Sequence, residues 1–153
     1  MKSVSRRFAA LTAVAATVGF AARGHADEPK AHRVAFHVDQ NDPKVMNLAL
    51  NNVSNLLEYY QGKGEKVEVE VVAYGPGLNM LREDMSPVKG RIASMKNDAF
   101  NANLAFSACG NTKRHMEKAE GHPIQIISQA HVVPAGIVRL TELQEQGWTY
   151  IKP

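Results

Sequence analysis

Runs of strand length alternate with segments of helical periodicity along this chain, and that alternation constrains the fold more than any other feature. Residues 33–38 (RVAFHV) form a short apolar run with β-branched members, which predicts a first strand. Asp42 and Pro43 then supply a helix cap and a first helical position. Val45, Leu48, Ala49, Asn52, Val53, Leu56, Leu57 and Tyr60 recur at three and four residues along that helix, and Gly62 and Gly64 end it. Residues 67–74 (VEVEVVAY) predict the second strand, whose Val/Glu alternation places its first half at a sheet surface or rim. Gly75-Pro76-Gly77 stops it, 78–82 reads as a short helix, and Ser86-Pro87 starts another that runs to about Lys96 with Val88, Ile92 and Met95 inward. A third strand is predicted over 103–107 and a helix over 112–120, closed by Gly121-His122-Pro123. Residues 124–127 are apolar and fit either helix or extended chain. Val132-Val133-Pro134 marks the end of a fourth strand. The next helix shares Ile137, Leu140, Thr141 and Gln144 on one face and ends at Gly147, and 148–151 is the last strand. No hairpin signal interrupts this order, so the expectation is an α/β three-layer sandwich with a mostly parallel five-stranded sheet and right-handed crossovers. One domain over 33–153 accounts for it.

The first 26 residues read differently. Lys2, Arg6 and Arg7 precede an apolar run over 9–22, and Gly24-His25-Ala26 closes it with small residues at the two positions that matter for cleavage. That layout predicts a secretory signal peptide cut after Ala26, with a membrane anchor as the alternative. The apolar run is shorter than the ~20 residues that cross a bilayer. Ser5-Arg6-Arg7 leaves both the Sec and the twin-arginine routes open, and no Cys follows the cut to take a lipid. The expected location is the periplasm, with a short flexible start over 27–32 and no membrane partner after cleavage. The leader also accounts for the charge. The whole chain carries 18 Lys+Arg against 15 Asp+Glu, a net +3, but four of the basic residues and none of the acidic ones lie in the leader. The remainder is −1, which removes the only global argument for a nucleic-acid partner.

In an open parallel sheet ligands bind at the carboxyl ends of the strands. Four turns are expected there: Asp39-Gln40-Asn41, Tyr74-Gly75-Pro76-Gly77, Ser107 to Asn111, and Pro134-Ala135-Gly136. The single Cys of the chain, Cys109, falls on this edge. A lone Cys excludes an internal disulfide framework and any zinc site with two thiolates. The helix start that follows it and the cations Lys113, Arg114 and His115 would both favour a thiolate, while Gly110 would leave the sulfur open to approach. A Cys–His hydrolase has weak support, because His37, His115, His122 and His131 show no diagnostic spacing and no nucleophile-elbow motif is present. Cys109, His115 and Met116 would suit copper, but solvated or hydrogen-bonded histidines are the better reading, and no metal or cofactor is predicted. Gly75-Pro76-Gly77 lacks the Lys-Ser/Thr ending of a phosphate loop and reads as a tight turn that shapes the pocket. Asp39 reads as a polar pocket residue or as a helix-entry cap competing with Asp42. Tyr59, Tyr60, Trp148 and Tyr150 read equally as an oligomer surface or as core.

Taken in order, residues 34–39, 71–77 (VVAYGPG), 106–112 (FSACGNT), 132–136 (VVPAG), 141–144 (TELQ) and 147–153 (GWTYIKP) resemble the DsrE/DsrF-like family in an exported branch, over residues 32–153. The resemblance implies a five-stranded, flavodoxin-reminiscent fold, assembly into homo- or hetero-oligomers, and a sulfur-carrier activity in which one Cys holds sulfane sulfur as a persulfide. Cys109 looks like the counterpart of that Cys. The residues of the strand-end turns and of the helix after Cys109 that are expected to face the substrate are Asp39, Tyr74, Gly75, Gly77, Gly110, Asn111, Lys113, Arg114 and Pro134. The chain departs from the cytoplasmic relatives in its leader and in having no second Cys to relay sulfur, so transfer would use a partner's thiol or a small thiol. At most the protein would be a sulfurtransferase. The alternative is a non-catalytic oligomeric module in which Cys109 lines a pocket for a small ligand or metal.

Overall fold

The computed structural model describes residues 31–98 and 103–153. The predicted leader and residues 27–30 of the expected flexible start lie outside the described residues, while His32, assigned to that start, is already the first residue of β1. The elements run β1 (His32–Val38), α1 (Pro43–Gly62), β2 (Val67–Ala73), a 3-10 helix (Gly75–Leu81), α2 (Lys89–Asn97), β3 (Leu104–Cys109), α3 (Gly110–Glu120), β4 (His131–Val133), α4 (Gly136–Glu145) and β5 (Thr149–Ile151). All five strands pair in parallel, in the order β4-β3-β2-β1-β5. The α/β class and the five-stranded sheet are as the sequence predicts, and the sheet is wholly parallel.

That order decides which face each helix covers. From β1 to β4 the chain steps steadily one way across the sheet. Right-handed crossovers therefore put the connecting helices on one face. The last step goes back past β1 to its far side, so the same rule puts α4 on the opposite face.

The two faces are packed unequally. On the first, Phe36, Val38, Val71, Leu104 and Phe106 meet Met46, Leu50, Val53 and Leu57 of α1 together with Ile92 of α2. On the second, the buried apolar cluster is Ala35 and Val72 against Leu140 and Leu143 of α4, with Tyr74 and Trp148 partly buried beside them.

Several local expectations change. Asp42 caps α1, accepting from the Lys44 N–H at 2.8 Å, with Pro43 in the first turn as predicted. Strand β3 runs on to Cys109, and α3 starts at Gly110, two residues before the predicted start. Residues 124–127 are neither helix nor a named strand: Ile126 forms an isolated antiparallel bridge with Arg82, and Ile124 and Ile127 are buried. The inner face of α4 is Gly136, Leu140 and Leu143, whereas Ile137 is exposed. The Val/Glu alternation of β2 does not mark a rim. Glu70 is 3% exposed, because α4 covers that face and Arg139 neutralises the carboxylate.

Besides Glu70, Arg82 is a buried charged residue away from the sheet edge. Arg82 is 1% exposed, and its guanidinium reaches both oxygens of Asp84 and both of Glu120. It ties the segment after the 3-10 helix to the C-terminal turn of α3.

Candidate functional site

Because every strand is parallel, the four turns named from the sequence do share one edge. Cys109 is the last residue of β3 and the N-cap of α3. Its sulfur accepts from the Thr112 N–H at 3.4 Å, so the thiol does the capping work usually done by Ser, Thr or Asp. The side chain is 5% exposed.

Burial alone would push this thiol up. Hydrogen bonds from Thr112, by side chain and by backbone, and from the backbone N–H groups of Gly136 and Asn111 outweigh it, and the thiol is held below its ordinary value. Thr112 is oriented for this role, since its Oγ1 accepts from the Gly75 N–H at 2.9 Å and leaves its own proton for the sulfur. Gly136 is the first residue of α4, and the N-cap before it, Ala135, contributes no side-chain cap. Two helix N-termini, of α3 and of α4, therefore meet beside one sulfur, each with first-turn amides that have no partner inside their own helix and with a positive partial charge.

The glycines let these turns close on one another. A Cβ at Gly136 would stand 2.9 Å from two atoms of Tyr74. One at Gly77 would stand 2.3 Å from the Val38 carbonyl oxygen, which is why the 3-10 turn packs on the end of β1. Gly110 serves packing and not access: it is buried, and a Cβ there would meet the Val133 carbonyl oxygen at 2.9 Å. The Pro134 carbonyl accepts from the Asn111 N–H at 3.2 Å and joins the β4 turn to α3.

The cations named from the sequence are engaged elsewhere. Lys113 Nζ bonds Glu117 at 2.5 Å, and Arg114 bonds the Asn111 side chain. The amides and hydroxyl above, and not these side chains, are the main groups that lower the thiol. His115 is exposed, and Met116 packs against the core with its sulfur 3.9 Å from Arg82 Nη1, so the copper trio is not assembled. Among the described residues no group of three or more His, Cys, Asp or Glu is placed to hold a metal, and none of the four candidate histidines hydrogen-bonds the thiol.

Beside Cys109, toward β1 and β5, lies a second polar group. Tyr74 stacks on His37 with centroids 4.5 Å apart, and His37 Nδ1 hydrogen-bonds the Tyr150 hydroxyl at 2.7 Å. His37 is 4% exposed and its Nε2 has no hydrogen-bond partner; the carboxylate of Asp39 stands 3.8 Å away. Burial pushes His37 down, opposed by Asp39. Asp39 is a site-edge residue rather than a cap: it pairs with Lys152 Nζ at 2.6 Å, which holds its carboxyl below the usual range. Of the aromatic quartet, Tyr59 and Tyr150 are exposed, and Tyr60 and Trp148 pack on the two cores.

Thr112 and Gly136 stood within the sequence motifs without a role, and Lys152 lay in the C-terminal one. A threonine three residues after a strand-end Cys is the signal that points to Thr112. Nothing local points to Gly136, whose part depends on the β4 turn folding back over β3.

Fold and site together define a parallel α/β protein with one amide-cradled thiol at the carboxyl edge of its sheet. Neither the scan against family models nor the search of curated proteins found a match. Among solved structures, the chain is similar to MTH1491 from Methanobacterium thermoautotrophicum, a protein described as of unknown function, with 34% identity and a TM-score of 0.65 over 80% of this chain and 99% of that one. The chain belongs to the same family as MTH1491.

Proposed function

We propose that this protein is an exported sulfur handler of the DsrE/DsrF-like kind that carries sulfane sulfur as a persulfide on Cys109. The observation that carries the reading is the thiol's setting: a nearly buried sulfur whose thiolate is favoured by Thr112, Gly136 and Asn111. A thiolate is the nucleophile of sulfur exchange, and a structural thiol in an apolar setting would be shifted the other way.

The chemistry is two thiol exchanges without net redox change. The Cys109 thiolate attacks the outer sulfur of a donor persulfide, R–S–SH. The donor's S–S bond breaks, R–S⁻ leaves, and Cys109–S–SH forms. An acceptor thiolate then attacks that outer sulfur, takes it as its own persulfide, and leaves Cys109 as thiolate. The amides that stabilise the first anion lie where the leaving thiolate re-forms in the second step. With one Cys in the chain, the acceptor is a partner protein's thiol or a small thiol. The periplasmic location rests on the leader sequence, and a homo-oligomer on the family resemblance.

Incubation of mature protein with a small-molecule persulfide, followed by intact-mass analysis, tests the reading. One added sulfur, removed by a thiol reductant and absent from Cys109→Ser, is expected. Equal uptake by the variant would refute it.

A further inference from the structure

We propose that the ion pair between buried Glu70 and partly exposed Arg139 is a positioning device: it holds the N-terminus of α4, and with it the Gly136 backbone, against Cys109. The proposal rests on Cys109 being the working thiol, and it adds two residues that the sequence left unassigned.

Glu70 lies in β2, on the face that α4 covers, and is 3% exposed. Its Oε1 accepts from Arg139 Nε at 2.8 Å and its Oε2 from Arg139 Nη2 at 2.6 Å, a two-pronged bond. The same Oε1 accepts from the Ser107 hydroxyl at 2.5 Å. Ser107 precedes Cys109 by two residues in β3, so both side chains point to the same face. Arg139 follows Gly136 by three residues, within the first turn of α4. One carboxylate thus joins the strand that carries the thiol to the helix turn that supplies an amide to it.

Two further observations favour positioning over plain stability. The apolar seat of α4 is small, with Leu140 and Leu143 on Ala35 and Val72, and such contacts leave a helix free to slide or turn by fractions of an ångström. A planar two-pronged bond fixes both motions. Desolvating the Glu70 carboxylate is costly even with a partly exposed partner, so stability alone gives little reason for a charge at this buried position. The uncapped start of α4 fits as well: Ala135 offers its first amides no side-chain cap, and Gly136 sits so close to Cys109 that a Cβ there would lie 3.3 Å from the cysteine Cβ. Tyr74 is a titratable neighbour of that sulfur and Arg114 approaches Gly110, while His131 bonds the Ser107 hydroxyl at 3.0 Å and Glu142 stands 3.6 Å from Arg139.

The test is the pH titration of thiolate absorbance in mature full-length protein, together with the rate of alkylation of Cys109 by a neutral reagent. The informative variant is the double replacement Glu70→Leu with Arg139→Met, which roughly keeps volume and leaves no buried charge: Glu142, the other partner of Arg139, is half exposed, and the Ser107 hydroxyl keeps its bond to His131. It should unfold in urea no earlier than wild type, yet its thiol should titrate about one pH unit higher and alkylate up to about tenfold more slowly at neutral pH. Arg139→Lys, which keeps the charge but loses the fork, should fall between the two. Unchanged titration in the folded double variant would overturn the proposal, as would unchanged titration in Arg139→Lys should the double variant not fold. Sulfur uptake is read separately: a thiol that shifts as expected in a protein that never gains sulfur contradicts the carrier reading and not this one.

Discussion

Gly136 and Cys109 stand so close that a Cβ on the glycine would lie 3.3 Å from the Cβ of the cysteine, with Tyr74 closer still. Gly136→Ala therefore has to push α4 away from the thiol or displace the Tyr74 ring. The expected result is a thiol that titrates higher than in wild type and a loss of about 1–3 kcal/mol in stability, the usual range for overpacking. Thiolate absorbance against pH and urea unfolding check the two parts.

Thr112 gives the sulfur both its hydroxyl and its N–H, and the hydroxyl is the part a substitution removes. Thr112→Val, nearly the same shape, is expected to raise the thiol by about one pH unit, since a hydrogen bond to a charged acceptor is worth about 1.5–3 kcal/mol and water replaces part of it. Thr112→Ser keeps the hydroxyl and should titrate close to wild type. Equal titration of the valine variant and wild type would remove Thr112 from the site.

Much of this was legible beforehand. The alternation of runs gave the parallel order of elements, and Cys109 at a strand end gave the edge on which the site lies. Three features were not legible, each for a physical reason. Glu70 reads as an exposed alternation residue because its partner, Arg139, is far along the chain and on the helix that crosses to the other face. The inner face of α4 reads from the sequence as Ile137, Leu140, Thr141 and Gln144, yet only Leu140 of these is buried: Gly136 and Leu143 complete the seat and Ile137 points to solvent, because the helix has little apolar content to fix its face. The helix start after Cys109 does supply an amide to the sulfur as the sequence suggests, but the cations on α3 find closer partners in Glu117 and Asn111, and the approach of the α4 start at Gly136 has no local signal.

Arg82 should be a stability residue without effect on the thiol. Its side chain is 2% exposed, between Asp84 and Glu120, whose carboxylates it holds below their usual range. Arg82→Ala opens a cavity and releases the link to α3, at an expected cost of about 3 kcal/mol. Arg82→Met, which refills most of the volume, should cost less. Urea unfolding ranks the two, and the reverse order would contradict a packing role.

His37 gives stability a pH dependence. Burial lowers its folded value below 6.5, so as the pH falls the unfolded chain takes up the proton first. The contribution is complete above 6.5 and is lost as the pH drops from there through the folded value. His37→Gln should flatten the dependence of the urea midpoint over that interval. A midpoint that changes with pH as steeply in the variant as in wild type would place the effect elsewhere.

The most direct test of the account is the mass of Cys109 itself after exposure of the protein to a small-molecule persulfide. Peptide mapping should find one extra sulfur on the peptide holding Cys109, lost on reduction, and transferred to an added thiol acceptor with return of the original mass. A Cys109 peptide that stays unmodified in the folded protein would contradict the central claim.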